Sequence, residues 1–326
     1  MHILVIGASG MLGSKLVIKL ATSGHVLGRP ITKLTRQDLV LAPPPPSANF
    51  AMETQMSDLS KEGECNKLIS EKPDVIFHLA AIVSGEAEAD FEKGYRINFD
   101  GTRELLEAIR QLGGGYCPKL VFTSSIAVFG APFPEVINDE FFTTPLTSYG
   151  TQKAMGELLI SDYSRRGFVD GLSLRMPTVC VRPGKPNKAA SGFFSNIIRE
   201  PLVGLEAILP VNDDVRHWHA SPRTAINMLI HAANLDTTLV GPRRSISMPG
   251  VSCTVADQIT ALAKVAGPDC LKLIRREPDA IIARIVSGWP QNFNPQRALA
   301  LGFKPDKDFE EIIRIHIEDE LQGKLN

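Results

Sequence analysis

Short blocks of consecutive apolar residues alternate along this chain with longer stretches whose apolar positions recur every three or four residues. The first block, His2-Ile-Leu-Val-Ile6, is followed at once by Gly7-Ala-Ser-Gly-Met-Leu-Gly13 and by a helical apolar pattern over residues 14–21. A short run without polar alternation suits a strand buried on both faces of a parallel sheet. The same rhythm predicts strands over residues 31–37, 74–81 and 119–125, a short strand closed by Asp58-Leu59, and a sixth from Gly171. Helices are predicted over residues 60–70, around Tyr149, and through Leu112 to the stop at Gly113-Gly-Gly115, this last one led into by residues 95–102. Farther on, the pattern predicts helices over 189–201, 254–265, 295–301 and 309–317, and a strand near 271–276. Strands alternating with helices point to an α/β fold. Ala42-Pro-Pro-Pro-Pro-Ser47 is a stiff connector within that pattern, not a domain linker.

Strand, glycine turn and helix in direct succession are the context in which Gly7-x-x-Gly10-x-x-Gly13 binds a pyrophosphate, because the turn and the helix N-terminus present backbone N–H groups. Ser9, Met11 and Leu12 belong to that turn and first helical positions. Asp38 ends the second strand, where a carboxylate accepts from adenosine ribose hydroxyls and repels a 2′-phosphate, which favours NAD over NADP. Arg36 and Gln37 are unusually polar for a central strand, and Arg36 is a candidate partner for such a phosphate. Asp58 and Leu59 are placed to hold the adenine, and Asp58 is equally suited to cap the helix after it. Leu79, Ala80 and Ala81 end the fourth strand in small residues that let backbone approach a ligand, while His78 reads as a strand histidine.

Tyr149-Gly-Thr-Gln-Lys153 places a phenol and an ammonium at i and i+4 on one helix face. A nearby ammonium favours the phenolate, and a phenol so tuned can take a proton from a hydroxyl or return it to a carbonyl. Ser124 and Ser125 end the fifth strand shortly before that helix, as turn formers or as donors to a substrate oxygen.

Composition narrows the picture without changing it. A chain of 326 residues exceeds the usual single-domain size. A net charge of −1 gives no global bias toward nucleic acid or anionic membrane. Five scattered cysteines without a C-x-x-C pair argue against a disulfide framework or a zinc site and suit a reducing, cytoplasmic setting. No apolar run is long enough to span a bilayer. His217 and His219 lack a neighbouring acidic or cysteine ligand, so no metal is expected.

In order, Gly7-x-x-Gly-x-x-Gly13, Asp38, Asp58-Leu59, His78-Leu-Ala-Ala81, Asn98, Thr123-Ser-Ser125 and Tyr149-x-x-x-Lys153 resemble the extended short-chain dehydrogenase/reductase superfamily, relatives of nucleotide-sugar epimerases, over nearly the whole chain. The resemblance implies a doubly wound Rossmann sheet with a smaller C-terminal substrate-binding lobe: residues 1–180 for NAD, and 181–326 mainly for substrate, with some segments returning to the first. It also implies Tyr149 as acid/base, Lys153 holding the nicotinamide ribose, Ser125 polarising the reacting oxygen and Asn98 supporting the site. Pro177 and Val179 fall in the segment that lines the nicotinamide, and Phe129 departs from the tyrosine common before the glycine.

The loop carrying Arg182, Lys185, Asn187 and Lys188, and the segment Arg216-His-Trp-His-Ala-Ser-Pro-Arg223, fall where that superfamily builds its substrate pocket. An arginine fork suits a carboxylate or phosphate, and Arg216 is the first candidate, although basic loop residues are commonly just solvated. With Ser84-Gly-Glu-Ala-Glu-Ala-Asp90, these runs are similar to the D-erythronate dehydrogenase group of the superfamily. That similarity implies NAD-dependent oxidation of the 2-hydroxyl of a small sugar acid, with Ser84, Ser125, Tyr149, Arg182, Lys185, Asn187 and Arg216 around the substrate. A nucleotide-sugar 4-epimerase or dehydratase with tightly bound NAD, and a non-catalytic NAD sensor, are the rivals. The same superfamily implies a homodimer or homotetramer through the helices after Asn98 and Tyr149, and no nucleic-acid or membrane partner.

Overall fold

A computed structural model describes residues 1–40, 42–45, 48–184 and 190–324. They form two compact units.

The first unit comprises Met1–Val128, Thr147–Arg175 and Ile226–Ser247. Its seven-stranded sheet runs in the order Ser245–Ser247, Asp170–Met176, Lys119–Ser125, Val75–His78, His2–Ile6, Lys33–Asp38, Ala51–Met56. Successive chain segments therefore add on either side of His2–Ile6, the strand-order reversal that opens a ligand crevice at the carboxyl ends. Register is set by burial: Ile3, Leu4, Val5 and Ile6 are inaccessible to solvent and pair with both Leu34–Gln37 and Val75–His78. Helices Gly101–Leu112 and Ser148–Arg165 contribute to a core with Leu4, Ile76, Leu105, Phe122 and Ile160.

The pattern placed most of these elements correctly, and local geometry explains the exceptions. The first helix starts at Met11, because Gly10 is extended and ends the turn. The helix expected over 60–70 shrinks to Glu64–Ile69, preceded by Gly63 at φ +79°. Asp58 does not cap it; its carboxylate instead accepts from Ser60 N at 3.0 Å and Ser60 Oγ at 2.6 Å. The seventh strand, Ser245–Ser247, was not legible: three residues carry too little pattern, and pairing with Ser173, Leu174 and Arg175 makes the strand.

The second unit comprises Phe129–Leu146, Met176–Ala225 and the chain from Met248 on. A three-stranded sheet joins Thr178–Val179, Arg216–Ala220 and Val251–Thr254, against which Phe193, Phe194, Ile197, Leu262 and Ile312 form a separate core. Helix Val255–Ala266 opens with a reciprocal capping box between Thr254 and Asp257. The strand expected near 271–276 is confined to Ile274–Arg276, after a tight turn at Pro268–Leu273. Helix Ala280–Ser287 is not legible in the pattern, nor is helix Pro222–Asn234, whose residues from Ile226 on belong to the first unit.

Candidate active site

Gly7 leaves the first strand at φ +82°, and a Cβ there would meet Ala80 N at 2.7 Å. Gly13 is tighter: its Cβ would lie 2.0 Å from Gly7 O. Gly10 is exposed and has only Gly7 O nearby, at 3.4 Å, so backbone at the turn is open to a ligand. Helix Met11–Ser23 follows without a side-chain cap, so the first-turn N–H groups of Met11, Leu12 and Gly13 are oriented as anion donors.

Asp38 is held at the rim of this turn, its Oδ2 accepting from Ser9 N at 2.8 Å and its Oδ1 from Leu39 N at 2.7 Å. Each oxygen retains a second lone pair for a ribose hydroxyl. A cavity of about 470 Å³ opens here, walled by Gly7, Ser9, Gly10, Asp38, Asp58, Leu59, Leu79, Ala80 and Ala81. Ile82 and Ile97 also line it and were missed; a lone isoleucine, in the loop after a strand or in the segment Tyr95–Asp100, carries no signal of its own. Desolvation acts to raise the Asp58 carboxyl, but the two Ser60 hydrogen bonds outweigh it and keep Asp58 below its ordinary value. Arg36 turns away from the 2′-phosphate role: it donates to Ala42 O and Pro43 O at 3.1 Å each and to Thr54 Oγ1 at 2.7 Å. Gln37 Nε2 is tied to Ser57 O at 2.6 Å. A glycine turn, an uncapped helix start and an acceptor at the second strand end fit the adenosine and pyrophosphate of NAD.

In the same unit, helix Ser148–Arg165 is started by Thr147, whose hydroxyl accepts from Gly150 N. Tyr149 and Lys153 lie one turn apart, with Lys153 Nζ 5.7 Å from the Tyr149 ring centre and 4.5 Å from that of Phe122. Lys153 is buried and donates to Thr123 O at 2.8 Å. Ser124 and Ser125 separate in role: Ser124 points inward and donates to Glu157 Oε1, itself paired with Arg175 at 2.8 Å. Ser125 is half-buried and its Oγ accepts from Ala127 N at 3.1 Å. His78 is a packing residue, bonded to Thr102 Oγ1 at 2.9 Å, and burial followed by the Lys153 charge pushes it down to about 3.

Burial lowers Lys153 to about 7 from an ordinary 10.5, with Glu157 opposing. Between those values the unfolded chain binds the extra proton, so stability rises with pH through this window, by up to about 1.4 kcal/mol per pH unit. Above pH 9 the buried thiols of Cys65, Cys180 and Cys253, held up to about 12, reverse the trend. Urea titrations of the cofactor-free protein between about pH 7 and pH 8.5 should therefore show rising stability, and Lys153→Met should flatten that rise.

Asn98 sits in a π-helical segment, Tyr95–Asp100, and its amide is fully engaged by protein. Oδ1 accepts from Ile82 N at 2.9 Å, and Nδ2 donates to Ile82 O at 3.2 Å and to Gln152 Oε1 at 2.8 Å. Both amide donors are thus spent, which leaves the carbonyl oxygen as the atom able to take a water. Asn98→Ala leaves the N–H and C=O of half-buried Ile82 without these partners and should cost about 2 kcal/mol in a denaturant titration.

Ser84 starts the short helix Ser84–Ala89 and is half-buried. In the second unit, Pro177 and Val179 are buried beside and within the strand Thr178–Val179. The Arg182 guanidinium is committed to Val179 O and Ser191 Oγ, both at 3.0 Å. Arg216 is 40% exposed and makes long contacts, 3.3 Å to Ser252 O and 3.9 Å to Asp257 Oδ2. Lys185, Asn187 and Lys188 lie outside the described residues. His217 and His219 point into the core against Phe194, and burial lowers His217 to about 4 and His219 well below its ordinary value. Trp218 faces the other way, buried, with Nε1 donating to Met248 O at 3.1 Å. Among the described residues no cluster of His, Cys, Asp and Glu could hold a metal, and no helix is long and apolar enough to cross a membrane.

Residues 3–220 match the NAD dependent epimerase/dehydratase family. D-erythronate dehydrogenase from Cupriavidus necator is 45% identical over 98% of both chains, and the enzyme of the same name from Haemophilus influenzae is 43% identical over 98% of this chain and 99% of its own. A crystal structure of a protein called the nucleoside-diphosphate-sugar epimerase from Agrobacterium tumefaciens superposes with a TM-score of 0.98 at 60% identity, over 100% of this chain and 96% of that one.

Proposed function

The chain belongs to the NAD dependent epimerase/dehydratase family, and from that premise we propose that it oxidises the 2-hydroxyl of a small sugar acid, D-erythronate or a close relative, to the 2-oxo acid. The observation that carries this reading is identity of 45% and 43%, over nearly the full length, to two D-erythronate dehydrogenases. NAD is the cofactor, and it supplies the hydride acceptor.

In this reading Gly7, Ser9, Gly10 and the first turn of helix Met11–Ser23 hold the pyrophosphate, Asp38 the adenosine ribose, and Asp58 and Leu59 the adenine. Leu79, Ala80 and Ala81 form the wall opposite, and Pro177 and Val179 border the nicotinamide. Tyr149 removes the hydroxyl proton, and Ser125 Oγ donates to the oxygen as it becomes a carbonyl. The Lys153 ammonium stabilises the phenolate by proximity. Asn98 acts as a positioning residue beneath them. The substrate carboxylate pairs with Arg216: its present contacts are the longest among the arginines of this segment, whereas Arg182 is held by its own loop. Ser84 completes the described substrate surroundings.

The name carried by the Agrobacterium structure favours a second reading, a nucleotide-sugar epimerase that keeps its NAD. Purified protein given NAD and D-erythronate, D-threonate or L-threonate, with UDP-galactose in parallel, separates the two. NADH formed with an aldonate supports the dehydrogenase; conversion of UDP-galactose without net NADH overturns it.

A cytoplasmic homodimer or homotetramer belongs to the same reading. The strongly exposed Leu158, on helix Ser148–Arg165, supports pairing through that helix, and light scattering would give the stoichiometry.

A further inference from the structure

We propose that Gln152, which no comparison assigns a role, is a positioning residue that couples the wall of the dinucleotide pocket to the helix carrying Tyr149 and Lys153; this rests on the cofactor reading above. Gln152 lies between Tyr149 and Lys153 in sequence, faces the interior and is inaccessible to solvent. Its Oε1 accepts from Asn98 Nδ2 at 2.8 Å. Asn98 in turn holds both the N–H and the C=O of Ile82, and Ile82 continues the pocket wall formed by Leu79, Ala80 and Ala81. One chain of hydrogen bonds therefore runs from the cofactor cavity, through the π-helical segment, into the turn that bears the acid/base pair.

The other half of the Gln152 amide makes the device unusual. Nε2 is buried with no hydrogen-bond partner among the described residues, and it is pressed so closely on Gly94 that a Cβ there would lie 2.6 Å away. A buried donor without a partner is a cost that an ordinary packing residue would not retain. A methionine of similar length would satisfy the volume without that donor, but it would leave Asn98 Nδ2 without the acceptor it has here. What holds the glutamine in place on this argument is its acceptor, the one atom that reaches Asn98.

Stability and function should consequently separate. Gln152→Met loses one hydrogen bond and exchanges one unpartnered donor, its own Nε2, for another on Asn98 Nδ2, so its melting temperature should stay within about 3 °C of the parent. Its dissociation constant for NADH, read from cofactor fluorescence without any substrate, should rise about 3- to 10-fold. Because the effect passes through Asn98, Asn98→Ala/Gln152→Met should bind NADH no more weakly than Asn98→Ala alone. Gln152→Glu, which keeps the acceptor, should restore affinity at least in part. A lowered melting temperature with unchanged NADH affinity, or additive losses in the double variant, would overturn the proposal. If Gln152→Met does not fold, the Glu variant decides: affinity as weak as that of Asn98→Ala would also overturn it. Failure of the sugar-acid assignment would appear in turnover and leave these binding measurements intact.

Discussion

Tyr149→Phe should lower kcat on the order of 10³-fold, with the dissociation constant for NADH changed by less than about 3-fold. The phenyl ring keeps the shape of the half-buried side chain and its place 5.7 Å from Lys153 Nζ, so the cofactor site has no reason to move. What disappears is the oxygen that would take the proton. The pH profile adds a second readout: an ascending limb in the parent that reports this group should vanish from the residual activity of the variant. Turnover within about 10-fold of the parent would remove Tyr149 from the chemistry and leave the lysine and serine without a base.

Gly13→Ala should abolish cofactor binding and destabilise the fold by about 3 kcal/mol, near the upper end for an overpacked site. The reason is a matter of what can yield. Its Cβ would stand 2.0 Å from Gly7 O and 2.8 Å from Ala8 Cα, and both are backbone atoms of the turn that must meet the pyrophosphate. No rotamer change relieves that clash; the helix start has to leave the strand end. Gly10→Ala is the control. Its new methyl would meet only Gly7 O, at an ordinary 3.4 Å, so the melting temperature should hold while the methyl obstructs the ligand. Thermal melts of the two variants with and without NAD separate packing from access. Equal melting temperatures would show that the two glycines are not doing different work.

Several residues were readable because local chemistry fixes them. Tyr149 and Lys153 share a face for the simple reason that a helix returns every 3.6 residues. Gly7 and Gly13 were identified by strand, turn and helix order, and Asp38 by its place at a strand end. His78 was readable as a strand histidine from its place within an apolar run, and it is buried against Thr102. Less was readable where the deciding partner is remote in sequence. Ser124 and Ser125 are chemically alike, and only Glu157, on another element, separates the inward-pointing one from the half-buried one. A phosphate role for Arg36 is open in the sequence and closed by Ala42, Pro43 and Thr54, which take the hydrogen bonds of its two terminal nitrogens.

The sequence by itself determined the cofactor turn and the helix that carries Tyr149 and Lys153, since each is written in contiguous residues whose periodicity or spacing forces a local geometry. Only the tertiary structure decided which polar groups remain available for chemistry. Availability depends on what a side chain has already bonded, and in a buried environment those bonds join distant residues: Asn98 to Ile82 and Gln152, Arg182 to Val179 and Ser191, Lys153 to Thr123. Burial also lowers the Lys153 ammonium from its ordinary 10.5 to about 7, a shift that no reading of its neighbours in the chain could supply.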